Sequence, residues 1–212
     1  MKTSSLLAAS MLLILSVAAC DNDPAKGKAQ AAASAPVTAA TAAPSSAVKY
    51  GFSNEGSKIE FVGAKVTRKH DGAFQAFTGT VSLVDNEPTK STVVAEIDIA
   101  SLKADEEKLT GHLKSGDLLD ATKFPQATFT STSIKVGGDK GASHTVTGNF
   151  QLHGVTKSIS FPATVKASGD AVDVDAEFAI NRKDFGIVYP GMPDDLIKDD
   201  VLLKLHIHAR RS

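Results

Sequence analysis

The sequence has no tryptophan, a single cysteine at Cys20, and no phenylalanine before residue 50, although ten follow. One cysteine leaves no intrachain disulfide, and the first 49 residues, without an aromatic side chain, contribute little to a core. There is no long Lys/Arg block, and the formal net charge is −1, so there is no electrostatic footprint for a nucleic acid. No Gly-x-Ser-x-Gly elbow occurs and no glycine-rich phosphate loop opens a helix, so serine and cysteine nucleophiles and nucleotide cradles have no candidate. The longest apolar run, Leu6 to Val17, is too short for a typical transmembrane helix. What remains, 42% hydrophobic over 212 residues, is enough for one sizeable core without disulfides.

That apolar run follows Lys2 and is broken only by Ser10 and Ser16, the pattern of a bacterial export signal over residues 1–19. Its end, Val17-Ala18-Ala19-Cys20, resembles a lipobox, in which the cysteine thiol is diacylglycerated and becomes the new amino terminus. Cys20 is then the lipid attachment site, and its acyl chains hold the protein on an envelope membrane, facing the periplasm. Asp21 resembles an inner-membrane retention signal, a rule that varies between lineages, so inner and outer membrane both stay open. The alternative is ordinary cleavage near Ala18 or Ala19, leaving a free thiol. Residues 20–49 are Ala, Ser, Thr and Pro with almost no large apolar side chain, which predicts a flexible tether with a reach of about 30 Å.

From residue 50 to 212 the grammar is period-2 alternation. Phe150 and Leu152 share a face, the chain turns at His153-Gly154, and Ile159 and Phe161 resume the pattern, which predicts a β-hairpin. In Ala171 to Ile180 the apolar positions Val172, Val174, Ala176, Phe178 and Ile180 alternate with Asp173, Asp175 and Glu177. Only Ala104 to Leu119, with Leu109 and Leu113, changes to helical spacing, predicting a short surface helix. About eight one-faced strands joined by short turns predict an all-β fold whose antiparallel sheet closes into a barrel, because closure removes exposed edges.

A barrel of that size is filled by side chains or holds one slender ligand. Gly63, Gly79, Ala95, Gly148, Ala163 and Ala176 share the parity of their apolar neighbours, and small residues at one level would leave a void. The candidate lining is Ile59, Phe61, Gly63, Phe77, Gly79, Val81, Ala95, Ile97, Phe129, Gly148, Phe150, Leu152, Phe161, Ala163, Ala176, Phe178 and Leu205. Small residues also relieve crowding where barrel strands bend, so a filled barrel acting as a ligandless interaction or stress-protective protein is the alternative.

Gly148-Asn149-Phe150-Gln151-Leu152-His153-Gly154-Val155-Thr156-Lys157, together with Ile180-Asn181-Arg182-Lys183-Asp184-Phe185-Gly186 and His112-Leu113-Lys114-Ser115 ahead of Phe124-Pro125, resembles the YceI family. The resemblance implies a lipocalin-like barrel with a helical segment over it, and a long isoprenoid lipid, a polyprenyl phosphate or quinone, bound in an apolar tunnel. It makes Arg182 and His112 candidates for orienting a headgroup, and admits a homodimer. Thr110 stands where the family often has Asp, and Leu118-Leu119 where it has paired aromatics. His206 and His208 project together from a strand's polar face, but two ligands without a third suggest solvent rather than metal, and no cofactor is expected.

Overall fold

A computed structural model describes residues 22–38, 44 and 46–212; Cys20 and the signal segment lie outside them. The strands are β1 (Ala29–Gln30), β2 (Val48–Ser53), β3 (Lys58–Ala64), β4 (Lys69–Phe74), β5 (Phe77–Val84), β6 (Glu87–Asp98) and β7 (Leu102–Ala104), then β8 (Gln126–Val136), β9 (His144–Leu152), β10 (Val155–Ala167), β11 (Ala171–Asn181), β12 (Gly191–Met192), β13 (Asp195–Leu196) and β14 (Asp200–Arg211). One helix, α1 (Glu107–Lys114), interrupts them. Eight strands form a closed antiparallel ring in the order β2, β5, β6, β8, β9, β10, β11, β14, with β14 returning to β2. The N-terminal half of β14 pairs instead with β3, which carries β4 and β7 outward from the ring.

Local chemistry sets the connections. His153 (φ 51°) and Gly154 (φ 74°) both take positive φ, the two-residue hairpin geometry that matches strand twist. Asp85 (φ 53°) and Asn86 (φ 58°) do the same between β5 and β6. The turn at His153 also docks sideways: its Nδ1 lies 3.2 Å from the Phe185 carbonyl, and its ring meets Phe124 edge-on at 4.6 Å. Inside the ring, Phe161 and Phe178 stack at 4.2 Å with an 11° interplanar angle, joining β10 to β11 across the core.

Helix α1 is shorter than the periodicity predicts. Its end at Ser115 is fixed by the Ser115 hydroxyl donating to the His112 carbonyl at 2.8 Å. The Thr110 hydroxyl accepts from the Ala104 N–H at 2.9 Å, so the residue that departs from the family pattern ties the helix to β7.

The segment read as a free tether is not free throughout. Strands β10 and β11 pair only over Thr164–Ala167 with Val172–Asp175, and then diverge. Residues 29–34 occupy the opening: β1 runs parallel to β11, the Ala31 N–H donates to Ala179 O at 2.8 Å, and Ser34 exchanges backbone bonds with Ser158 at 2.9 and 3.1 Å. Ala31 is buried, and Asn149 brackets Val37 with two hydrogen bonds, one in each direction. Composition is a poor guide here because main-chain pairing at an open sheet edge requires no large side chain.

Candidate functional site: an apolar cavity along the barrel

A cavity of about 510 Å³ runs inside the barrel, and its wall is nearly all hydrocarbon. From the expected lining, Ile59, Phe61, Gly63, Val81, Ala95, Ile97, Phe129, Phe150, Leu152, Phe161, Phe178 and Leu205 stand on its wall. Phe77, Ala163 and Ala176 are packed in the surrounding core instead. Gly79 and Gly148 are a correction to the inference that interior glycines leave a void. A Cβ on Gly79 would lie 2.0 Å from Phe52 Cζ, and one on Gly148 would lie 2.3 Å from Phe129 Cζ. Aromatic rings from the adjacent strands already cover both glycines. Gly72, under the ring of Phe61, repeats the arrangement, whereas a Cβ on Gly63 would meet nothing within 4 Å. Of these four glycines Gly63, the one without a covering ring, is the one on the cavity wall.

Phe52 and Phe74 complete the aromatic wall and were not anticipated. Val48, Tyr50 and Phe52 do alternate, so β2 carried a signal that its closeness to the Ala-rich segment obscured. Leu109, Leu113, Leu118 and Leu119 close the helix side. The segment 187–199 contributes Ile187, Tyr189, Met192 and Ile197, and has no periodicity by which to find it. Among the lining residues Met192 alone is exposed, so the cavity wall meets the protein surface at the β12–β13 hairpin.

Lys65, His70, His112, Arg182 and Asp195 are ionisable groups on the cavity wall. Arg182 lines the cavity but is 4% exposed, and each of its three guanidinium nitrogens donates a hydrogen bond. Nε donates to Lys198 O (3.1 Å), Nη1 to Ile187 O (2.6 Å), and Nη2 to Ile197 O (3.4 Å) and Asp199 Oδ1 (3.3 Å). Burial pushes its pKa down from the ordinary value, and Asp199 opposes the shift. These bonds fold the 187–199 segment around one side chain. His112 is at the wall, with Nε2 3.2 Å from Asp117 Oδ2 and its ring edge-on to Tyr189 at 5.2 Å. Desolvation raises the pKa of Asp195, but bonds from Thr67 and Lys65 outweigh it and hold the carboxyl below its usual range.

His70 carries no signal in the sequence pattern. It pairs with Gly63 across β3 and β4, is buried, and lines the cavity. Its Nδ1 lies 3.0 Å from Asp105 Oδ1, which fixes the ring, and Nε2 has no partner among the described residues. His206 and His208 are on the outer face, paired with Asp175 (2.7 Å) and Asp173 (2.6 Å) across β14 and β11.

A closed eight-stranded antiparallel barrel around an elongated apolar cavity defines a lipocalin-like, hydrophobic-ligand class of fold. Within that class the YceI-like domain family matches residues 50–209, and the chain belongs to this family. A UPF0312 protein of Pseudomonas putida is 35% identical over 136 residues, spanning 61% of this chain and 70% of that protein. BcnA of Burkholderia cenocepacia superposes with a TM-score of 0.64 at 26% identity, over 74% of this chain and 98% of that one. A polyisoprenoid binding domain from Saccharophagus degradans, implicated in plant cell wall breakdown, shares the fold with a TM-score of 0.62 at 16% identity, over 78% of this chain and 99% of its own.

Proposed function

We propose that this protein binds a long isoprenoid lipid, a polyprenyl phosphate or an isoprenoid quinone, in the barrel cavity without chemical turnover. It would carry or sequester that lipid at an envelope membrane to which Cys20 is anchored. The observation that carries the reading is the cavity itself, about 510 Å³ and walled along its length by Phe, Leu, Ile and Val. A void of this size with an apolar wall is costly to leave empty, and a methyl-branched hydrocarbon chain matches it in shape and polarity. The Saccharophagus domain of the same fold is described as polyisoprenoid binding, which is consistent with this choice of ligand. Affinity then arises from burial at about 25 cal/mol per Å² of apolar surface rather than from polar contacts. His70 Nε2 is one polar atom on the wall placed to orient a head oxygen, a role better suited to it than to Arg182, whose three nitrogens all donate to the 187–199 segment.

A chain-length series tests this. Delipidated protein titrated with isoprenoid quinones of increasing tail length should bind more tightly with each added unit until the cavity is full, and then plateau. Affinity that ignores tail length would contradict the assignment.

A further inference from the structure

We propose that the end of the barrel carrying the cavity mouth is a membrane-docking face, so that the mouth opens directly onto the bilayer. The proposal rests on the reading of Cys20 as the lipid anchor. Seven large apolar side chains are exposed among the described residues. Val37, Val94 and Val136 are scattered, but Val66 (54%), Val188 (64%), Met192 (60%) and Leu196 (47%) belong to the segments that form this one end. Val66 and Leu196 are directly joined, the Val66 N–H donating to Leu196 O at 3.1 Å. Met192 and Leu196 lie on the two strands of the β12–β13 hairpin, and Met192 is also the exposed residue of the cavity wall.

The occupant follows from where the chain leads. Asn22 Nδ2 donates to the Val66 carbonyl at 3.0 Å, so residue 22 is fixed against this same patch. Cys20 is two residues away, at most about 7 Å of chain. An acylated Cys20 would therefore enter the bilayer beside Val66, and the barrel would not float at the end of a long tether. The segment docked from residue 29 to 34 keeps the leash short. Asp194, at the exposed hairpin tip, opposes deeper insertion and limits the seating to headgroup depth. A lipid tail could then pass between bilayer and cavity without crossing water.

The test uses the full chain, exported in a bacterium with its own signal, purified in detergent and reconstituted into vesicles of phosphatidylethanolamine and phosphatidylglycerol. A fluorophore is placed at Met192→Cys or, in a second protein, at Val136→Cys, ten residues along β8 from its mouth end and about 33 Å away. Lipid-borne nitroxides should quench the label at 192 at least about threefold more than the label at 136. Equal quenching at both sites, or none at 192, overturns the docking face. The mass of the Cys20 peptide, read before labelling, separates the causes. Acylated Cys20 with an unquenched 192 label leaves the anchor standing and removes the docking face alone, whereas unacylated Cys20 removes the anchor and the short leash with it.

Discussion

The ring of Phe52 lies over Gly79, its partner across β2 and β5, so closely that a methyl group on the glycine would sit 2.0 Å from Cζ. The glycine is a seat for the aromatic ring. Gly79→Ala should cost roughly 1–3 kcal/mol by overpacking, and Phe52→Ala roughly 3–5 kcal/mol by leaving a hole. The two changes share one space, so in the Phe52→Ala background Gly79→Ala should cost close to nothing. Urea denaturation of the four proteins closes this cycle, and simple additivity would show that the ring does not occupy the glycine's side-chain space.

Gly63 behaves oppositely because nothing stands within 4 Å of its absent Cβ and the residue lines the cavity. Gly63→Leu should fill cavity space with little loss of stability while weakening ligand binding by at least about tenfold, or 1.4 kcal/mol. Gly148→Leu drives a side chain into the Phe129 ring and should instead lower the melting temperature. Melting curves and ligand stoichiometry on both proteins distinguish a blocked cavity from a damaged barrel.

Arg182 is expected to act through structure. Arg182→Met leaves the Ile187, Ile197 and Lys198 carbonyls without their donor, at about 1–3 kcal/mol for each acceptor that finds no water. Hydrogen exchange should accelerate across 187–199, and affinity should fall equally for quinones and polyprenyl phosphates. Selective loss of the phosphate ligand with unchanged exchange would make Arg182 a headgroup residue after all.

Two carboxylates give pH responses of opposite sign. Burial, reinforced by Asp23 and Asp199, raises the pKa of Asp200 against bonds from Gln30 and Asn181. The folded state then holds a proton that the unfolded chain has released. Asp200 therefore favours docking of 29–34 at acid pH, and that contribution is lost as pH rises through the folded value. Asp195 is held low in the folded state, so its contribution to the β12–β13 hairpin is present above the ordinary carboxylate pKa and is lost as pH falls through the folded value. Amide protection, taken relative to the intrinsic exchange rate at each pH, should therefore rise at Ala31 as pH falls from 7 towards 4, and should fall at Leu196 only below about pH 4.

Much of the barrel was legible because its strands keep one face apolar. The alternation of Val172 to Ile180, and the two-residue turn at His153-Gly154, each correspond to observed elements. Parity tells which face a residue takes but not what its cross-strand neighbour does with the space, which is why Gly79 and Gly148 were read as voids while Phe52 went unseen. His70 escaped notice because its partner Asp105 is 35 residues away, brought close by β4 and β7. The 187–199 segment has no period because it is folded around Arg182 rather than onto a sheet. The edge-filling role of 29–34 depends on a divergence of β10 from β11 that only the assembled barrel creates.

The occupant of the cavity decides between a lipid carrier and an interaction protein. The direct measurement is mass spectrometry of an organic extract from the protein exported in a bacterial periplasm and purified without detergent as residues 22–212, which retain the docked segment. A stoichiometric isoprenoid, depleted in the Gly63→Leu protein, is the predicted result. An extract that stays empty after incubation with quinones and polyprenyl phosphates would contradict it, and would leave the barrel as an interaction protein.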